Sequence, residues 1–259
     1  MKVLLTNDDG IGASGLHAMR RALLEVPGVE LAVIAPDSNR SATARSITTR
    51  RPLWVEEVEF GDGTTGFATD GTPVDCVRFA ALGLVEFEPE LIVSGINHGA
   101  NLGDDITYSG TVAAALEGIV LGIPAIAVSQ QSKEAGLHFR RQRNYDFSPA
   151  AGILPTLVRH VAERGLPEGT ILNVNAPPPP VRGVEVARLG RRIYRDRLDV
   201  EYDEAGLRRY RIYGDDPSYH DEPDTDFRAI AEGKIAVTPV HLDLTSAGAI
   251  EEIARWQLE

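Results

Sequence analysis

The 259-residue chain holds a single cysteine, Cys76, so no internal disulfide framework can brace it. The setting of that cysteine in "TPVDCVRFAALG" reads as a buried helix position rather than a catalytic thiol. No apolar run reaches the 18 residues of a membrane-spanning helix. No basic leader with an apolar stretch precedes the first strand candidate, and the expectation is a soluble, cytoplasmic protein. Cations are in deficit: 26 Lys and Arg stand against 38 Asp and Glu, a formal net charge of −12. The molecule as a whole therefore repels nucleic acid and anionic membrane. A phosphate-bearing ligand must be captured locally, by a cation or by backbone amides. No repeat of 20 to 50 residues occurs, which sets solenoids aside.

What is present is an ordinary globular composition, 43% hydrophobic and 25% charged, with enough length to bury a substantial core. Short apolar runs alternate with helical patterns. Strands are expected at 2–6, 30–36, 90–95 and 123–129, and helices at about 14–26 and 110–122. Continuous Val, Ile and Leu runs suit strands buried on both faces, so the expected fold is α/β, a Rossmann-like three-layer sandwich with a mostly parallel sheet. Residues 50–71 alternate around Gly-Asp-Gly and predict a hairpin. Pro177 to Pro180 exclude helix and central strand. Beyond them, 181–235 alternates charge and tyrosine and reads as an extended hairpin arm, which divides the chain into a core over 1–180 and a C-terminal arm and tail over 181–259.

The first loop, "NDDGIGASG", contains G-x-G-x-x-G at Gly10, Gly12 and Gly15, and Asp37 lies 22 residues beyond Gly15, where an acid would hold a ribose. A dinucleotide-binding turn, however, leads with glycine so that amides face the pyrophosphate. Here Asp8 and Asp9 come first, and two carboxylates repel a pyrophosphate unless a cation lies between. As hard oxygen donors at the end of a first parallel strand they suit Mg²⁺, Mn²⁺ or Ca²⁺. The blander reading is an Asp-rich turn or a helix cap. Two further loops add donors at the same sheet edge. "PDSNRSATARS" brings Ser41 among hydroxyls and arginines, and "SGINHGANLGDDITYSGTVAAA" brings Asn97, Asn101 and a helix start at Ser109, Gly110 and Thr111 that could seat an anion.

"LLTNDDGIGASG", "VIAPDSNRSATA", "IVSGINHGANLGDDITYSGTVAAALEG" and "TDFRAIAEGKIAVTPVHLDLT" together resemble the SurE family, survival proteins that act as metal-dependent nucleoside monophosphate phosphatases. The likeness runs from residue 2 to about 245. It implies a 5′-nucleotidase and leaves 3′-nucleotidase and exopolyphosphatase activities open. It implies one divalent ion per subunit, Mg²⁺ or Mn²⁺, held by Asp8, Asp9, Ser41 and Asn97. Asp8 and Asp9 become the candidate bases, and Asn7, Ala42, Asn97, Ser109, Gly110 and Thr111 the candidate contacts to phosphate or substrate. It also implies a homodimer or homotetramer with a swapped C-terminal segment, and neither DNA nor membrane as partner. One departure stands out: Ala42 occupies a position that is Gly in many members.

Other readings compete. A nucleotide- or dinucleotide-binding protein without phosphatase activity would keep the glycines but not need the acids. A haloacid-dehalogenase-type phosphatase needs Asp-x-Asp, and Asn7 stands at the first position. A serine hydrolase could pair Ser41 or Ser109 with His98, but no G-x-S-x-G elbow occurs. His17, His138, His160, His220 and His241 show no metal-ligand spacing.

Overall fold

The computed structural model describes residues 1–134, 144–204, 207–212 and 217–256. The chain opens with β1 (Lys2–Thr6), α1 (Ser14–Leu24), β2 (Glu30–Pro36), β3 (Val55–Glu59), β4 (Thr65–Thr69), α2 (Pro73–Ala81) and β5 (Leu91–His98). A 3-10 turn at Gly103–Thr107 leads into α3 (Gly110–Leu121), β6 (Ala125–Gln130), α4 (Ser148–Arg164) and β7 (Thr170–Ala176). The remainder is β8 (Val184–Val186), β9 (Arg192–Ile193), β10 (Asp199–Glu204), β11 (Leu207–Arg211), β12 (Ser218–Tyr219), α5 (Asp226–Ala231), β13 (Ile235–His241) and α6 (Ala247–Ile253).

Nine strands form one sheet in the order β3-β4-β2-β1-β5-β6-β7-β13-β8. From β4 to β7 all neighbours are parallel; β3 at one edge and β13 beside β7 run antiparallel to them. Alternate side chains explain the three layers. Val3 and Leu5 face α1 and α4 with Leu16, Met19, Leu23, Leu154 and Val158, whereas Leu4 faces α2 and α3 with Val77, Val112 and Ala115. All of these are buried, each large one contributing about 2 kcal/mol. Cys76 lies on α2 in the second layer as expected, and burial pushes its thiol up, which keeps it protonated. Among the described residues no helix is long and apolar enough to cross a membrane.

The hairpin expected around Gly-Asp-Gly is β3–β4, and Arg20 of α1 clamps its turn, with Nη2 donating to both oxygens of Asp62 at 2.9 and 2.7 Å. The arm is shorter than the expected 181–235. Two separate antiparallel pairs, β10–β11 and the flanking β9–β12, stand apart from the main sheet, while β8 joins that sheet and α5 packs Phe227 against Leu102 and Ala236. The reason is chemical: Asp226 Oδ2 accepts from the Gly103 amide at 2.7 Å and Oδ1 from Gly190 at 2.9 Å, which ties this segment to the loop before α3. Tyr213, counted with the arm, lies outside the described residues, as does His138.

β5 runs three residues past the expected end at Gly95, and its register with β6 shifts between Ser94 and Asn97. Gly95 makes this irregularity possible at φ +131°, where a Cβ would stand 2.2 Å from the Val128 carbonyl oxygen. Gly95→Ala is therefore expected to destabilise the protein by about 3 kcal/mol, roughly 10 °C in Tm, by both strain and overlap. Thermal unfolding of the purified variant checks this, and an unchanged Tm would refute it.

Candidate functional site

β2 and β4 lie on one side of β1, and β5, β6 and β7 on the other. The chain thus reverses its winding between β1 and β5, and a doubly wound sheet opens its ligand crevice at the carboxyl ends of such strands. Asn7, Asp8 and Asp9 leave β1 at that point. Asn7 is fully buried and both ends of its amide serve the turn: Nδ2 donates to the Gly10 carbonyl at 2.9 Å and Oδ1 accepts from the Gly10 amide at 3.1 Å. Its side chain braces the acids.

Asp8 is 3% exposed, and its Oδ1 accepts from the Thr111 hydroxyl at 2.5 Å. The Thr111 amide also supports the carboxylate, so Asp8 sits at the positive end of α3. Gly110 permits the approach, since a Cβ there would lie 2.8 Å from the Asp8 Cβ. Ser109 is the N-cap, its Oγ accepting from the Val112 amide at 3.1 Å. Burial, and after it the neighbouring Asp9 carboxylate, push Asp8 up from 3.8 to about 6 against the lowering effect of Thr111. The acids do not cap α1, the helix that follows them, whose N-cap is Ala13 with no side-chain bond; Asp8 meets the start of α3 instead.

Asp9 is gripped from two directions. Oδ1 accepts from Asn39 Nδ2 at 3.0 Å, and Oδ2 accepts from the His98 amide at 3.0 Å with the His98 Nδ1 at 3.4 Å. Asn39 Oδ1 in turn accepts from the Ser41 amide at 2.9 Å, so one asparagine joins the Ser41 loop to the acid pair. The Arg40 amide adds a bond to the Asp8 carbonyl at 2.6 Å. Asn97 stands beside His98 with Nδ2 donating to the Gly99 carbonyl at 2.8 Å, an orientation that leaves Oδ1 for a ligand. Ala42 adopts φ +59°, the left-handed region that glycine enters freely and alanine enters at a cost of about 1–2 kcal/mol. The departure from glycine falls where it is felt.

Asp8, Asp9, Asn97, Ser109, Gly110 and Thr111 are thus drawn to one edge, with the loop of Ser41 and Ala42 bonded to it. Asn101 is engaged elsewhere: its Nδ2 donates to Ser129 Oγ at 3.0 Å, and its amide donates to Asn175 Oδ1 at 2.7 Å within a buried network. The serine-hydrolase pairing does not form, because His98 Nε2 meets Ser14 Oγ at 3.2 Å. Asp37 takes Arg40 Nη2 at 2.7 Å and Ser38 Oγ at 2.9 Å instead of standing open for a ribose. The sequence reading missed Asn39 and Ser14, and also the rings of Tyr145 and Phe147, which pack on His98 with centroids 5.1 Å away. Asn39 had a visible signal, an asparagine in the turn before Ser41.

Fold and site define a doubly wound α/β protein whose crevice combines an acid pair with a helix N-terminus. The chain belongs to the SurE family: the family model "Survival protein SurE" matches residues 3–196. It is 52% identical to the 5′-nucleotidase SurE of Rubrobacter xylanophilus across 100% of this chain and 98% of that protein. It is 48% identical to the 5′-nucleotidase SurE of Chloroflexus aggregans, with both chains covered in full at 100%. The crystal structure of the SurE protein from Aquifex aeolicus superposes with a TM-score of 0.80 at 37% identity, covering 98% of each chain.

Asp8 also sets a pH dependence. In the unfolded chain it ionises near 3.8 and in the folded one near 6, so the folded state carries a cost that grows between those values and is complete above 6. In excess chelator, Asp8→Asn is expected to stabilise the protein above pH 6 by on the order of 2 kcal/mol. The gain should fade as pH falls toward 4, and a gain independent of pH in chemical denaturation would refute the assignment.

Proposed function

We propose that this chain, a 5′-nucleotidase of the SurE family, hydrolyses nucleoside monophosphates with one divalent ion, Mg²⁺ or Mn²⁺, held by Asp8, Asp9, Ser41 and Asn97. The observation that carries the reading is the Asp8–Thr111 contact, which joins an acid pair to the amides of a helix N-terminus at the switch point. The donor set fits such an ion. Two carboxylates, one of them raised by burial and then by its neighbour, together with an amide and a hydroxyl oxygen are the donors preferred by hard cations. In this reading Ser41 and Asn97 supply the remaining oxygen donors.

When bound, the ion supplies charge neutralisation and Lewis acidity to a phosphomonoester dianion that otherwise repels an attacking water. The protein does the rest. The helix start directs the Ser109 hydroxyl and the Gly110 amide to the phosphoryl oxygens, while Thr111 holds Asp8 beside them. Asp8 or Asp9 takes the proton of the attacking water; both carboxylates sit beside the seat. Ala42 contributes its loop amide. 3′-Esters and short polyphosphates present the same terminal phosphoryl group and are further candidate substrates.

We also read residues 1–180 as the catalytic core and 181–259 as an assembly element of a homodimer or homotetramer. Leu198, Val200, Tyr210 and Ile212 on the hairpin, and Leu244, Ile250, Ile253 and Trp256 at the tail, are exposed in the single chain, which supports that reading.

With AMP as substrate, excess EDTA should abolish turnover and Mg²⁺ or Mn²⁺ restore it, and Asp9→Asn should lower kcat/KM by at least about 100-fold. Full turnover in EDTA would refute the metal. Thr111→Val keeps the shape but deletes a hydrogen bond to a charged group, and should cost about 10- to 100-fold in kcat/KM while weakening inhibition by inorganic phosphate. Unchanged phosphate inhibition would place the anion elsewhere.

A further inference from the structure

None of residues 37–50 is buried, so the loop that carries Ser41 and Ala42 is not held by a hydrophobic core. Two of its residues, Ala42 and Ala44, lie in the left-handed region at φ +59° and +52°, a conformation that persists only where the surroundings over-determine it. The restraint between these alanines and helix α3 comes from two neighbouring residues. The Ala44 amide donates to the Tyr108 carbonyl at 3.1 Å, directly before the helix cap. Arg45 Nη2 donates to Glu117 Oε2 at 2.8 Å, two turns into the helix.

Glu117 is an unusual residue for this place. Its side chain is 2% exposed on the face of α3 that packs into the core, and such a carboxylate is retained only when paired. Arg78 of α2 approaches Oε1 at 2.5 Å as a charge contact without the alignment of a hydrogen bond, so Arg45 makes the directed bond. Arg45 is itself 36% exposed.

We infer that Arg45 is a positioning residue that docks the Ser41–Ala42 loop onto helix α3 through buried Glu117, so that the loop and the anion seat at Ser109–Thr111 move as one unit. The inference rests on the nucleotidase reading for its kinetic consequence, but its structural content does not. Asp8 closes the same unit from the other side, since its carbonyl accepts the Arg40 amide and its carboxylate accepts Thr111. Without Arg45 the loop keeps its bonds to Asp8, Tyr108, Thr72 and Asp75 and loses one of the two that tie Ala42 and Ala44 to α3.

The test compares wild type, Arg45→Ala, Arg45→Lys and Ala44→Gly in the full chain. Three readouts are used: calorimetric binding of inorganic phosphate in Mn²⁺, kinetics with AMP, and amide exchange. Arg45→Ala should weaken phosphate binding and raise KM about tenfold, with kcat within about twofold, because one charge-assisted bond is lost from loop placement and none from the reacting atoms. Amides of 40–46 should exchange faster while those of 112–121 stay protected, and Arg45→Lys should recover most of the loss. Ala44→Gly relieves the left-handed alanine and should tighten phosphate binding about threefold, a second arm that stands if Arg45→Ala folds poorly. Unchanged phosphate binding in Arg45→Ala, a loss that lysine does not repair, or unchanged or weaker binding in Ala44→Gly would overturn the inference. If wild type fails to hydrolyse AMP, the nucleotidase reading falls, and phosphate calorimetry and exchange still decide the role of Arg45.

Discussion

Two adjacent carboxylates at the end of an interior parallel strand repel each other and resist burial, and this one conflict organises the crevice. Asp8 resolves its share by meeting the positive end of α3 and the Thr111 hydroxyl; Asp9 resolves its share through Asn39 and the His98 amide. Each solution recruits a different loop, so the loops after β1, β2 and β5 are bonded to one another through the acids. The relief is incomplete, because burial and mutual repulsion still hold Asp8 well above the ordinary carboxylate range. The proposed cation would relieve what remains of this conflict.

The surrounding packing makes that conflict tolerable. Six parallel strands covered by helices on both faces place Leu4 and Leu5 in separate buried layers, which fixes the end of β1 rigidly. The tail contributes as well, since Asp226 holds the Gly103 amide and a buried pair joins Arg192 to Asp105 just ahead of α3. The C-terminal segment therefore bears on helix α3, whose start meets Asp8.

Much of this was legible in the sequence, for identifiable reasons. Runs such as "ELAVIAP" have no alternation, and buried parallel strands are the structures that need none; β2 begins and ends where that run does. Asp8, Asp9 and the Ser109–Thr111 start were legible because carboxylates and helix caps announce themselves by type and position. Less legible were features created by long-range approach. Nothing local marks Arg45 as the partner of Glu117, 72 residues away, or Asn39 as the bridge between Asp9 and Ser41. Likewise, an antiparallel β13 beside β7 depends on topology, because its apolar run would serve equally in a parallel sheet.

The G-x-G-x-x-G pattern shows how one set of residues can answer two physical needs. In a dinucleotide-binding turn the glycines let backbone amides approach a pyrophosphate. Here Gly10 lets the first loop lie against the backbone of Ser38, where a Cβ would come within 3.2 Å, and Gly15 lets α1 start against the Ile96 carbonyl oxygen, where a Cβ would come within 2.1 Å. Gly12 has nothing within 4 Å of the corresponding point. Two of the three glycines therefore bring neighbouring chain segments to the acid pair: Gly10 draws in the loop after β2, and Gly15 draws in the bulge of β5 beside Asn97 and His98. The motif in this chain is an instrument of loop convergence, and the acids that precede it decide what the converged loops can hold.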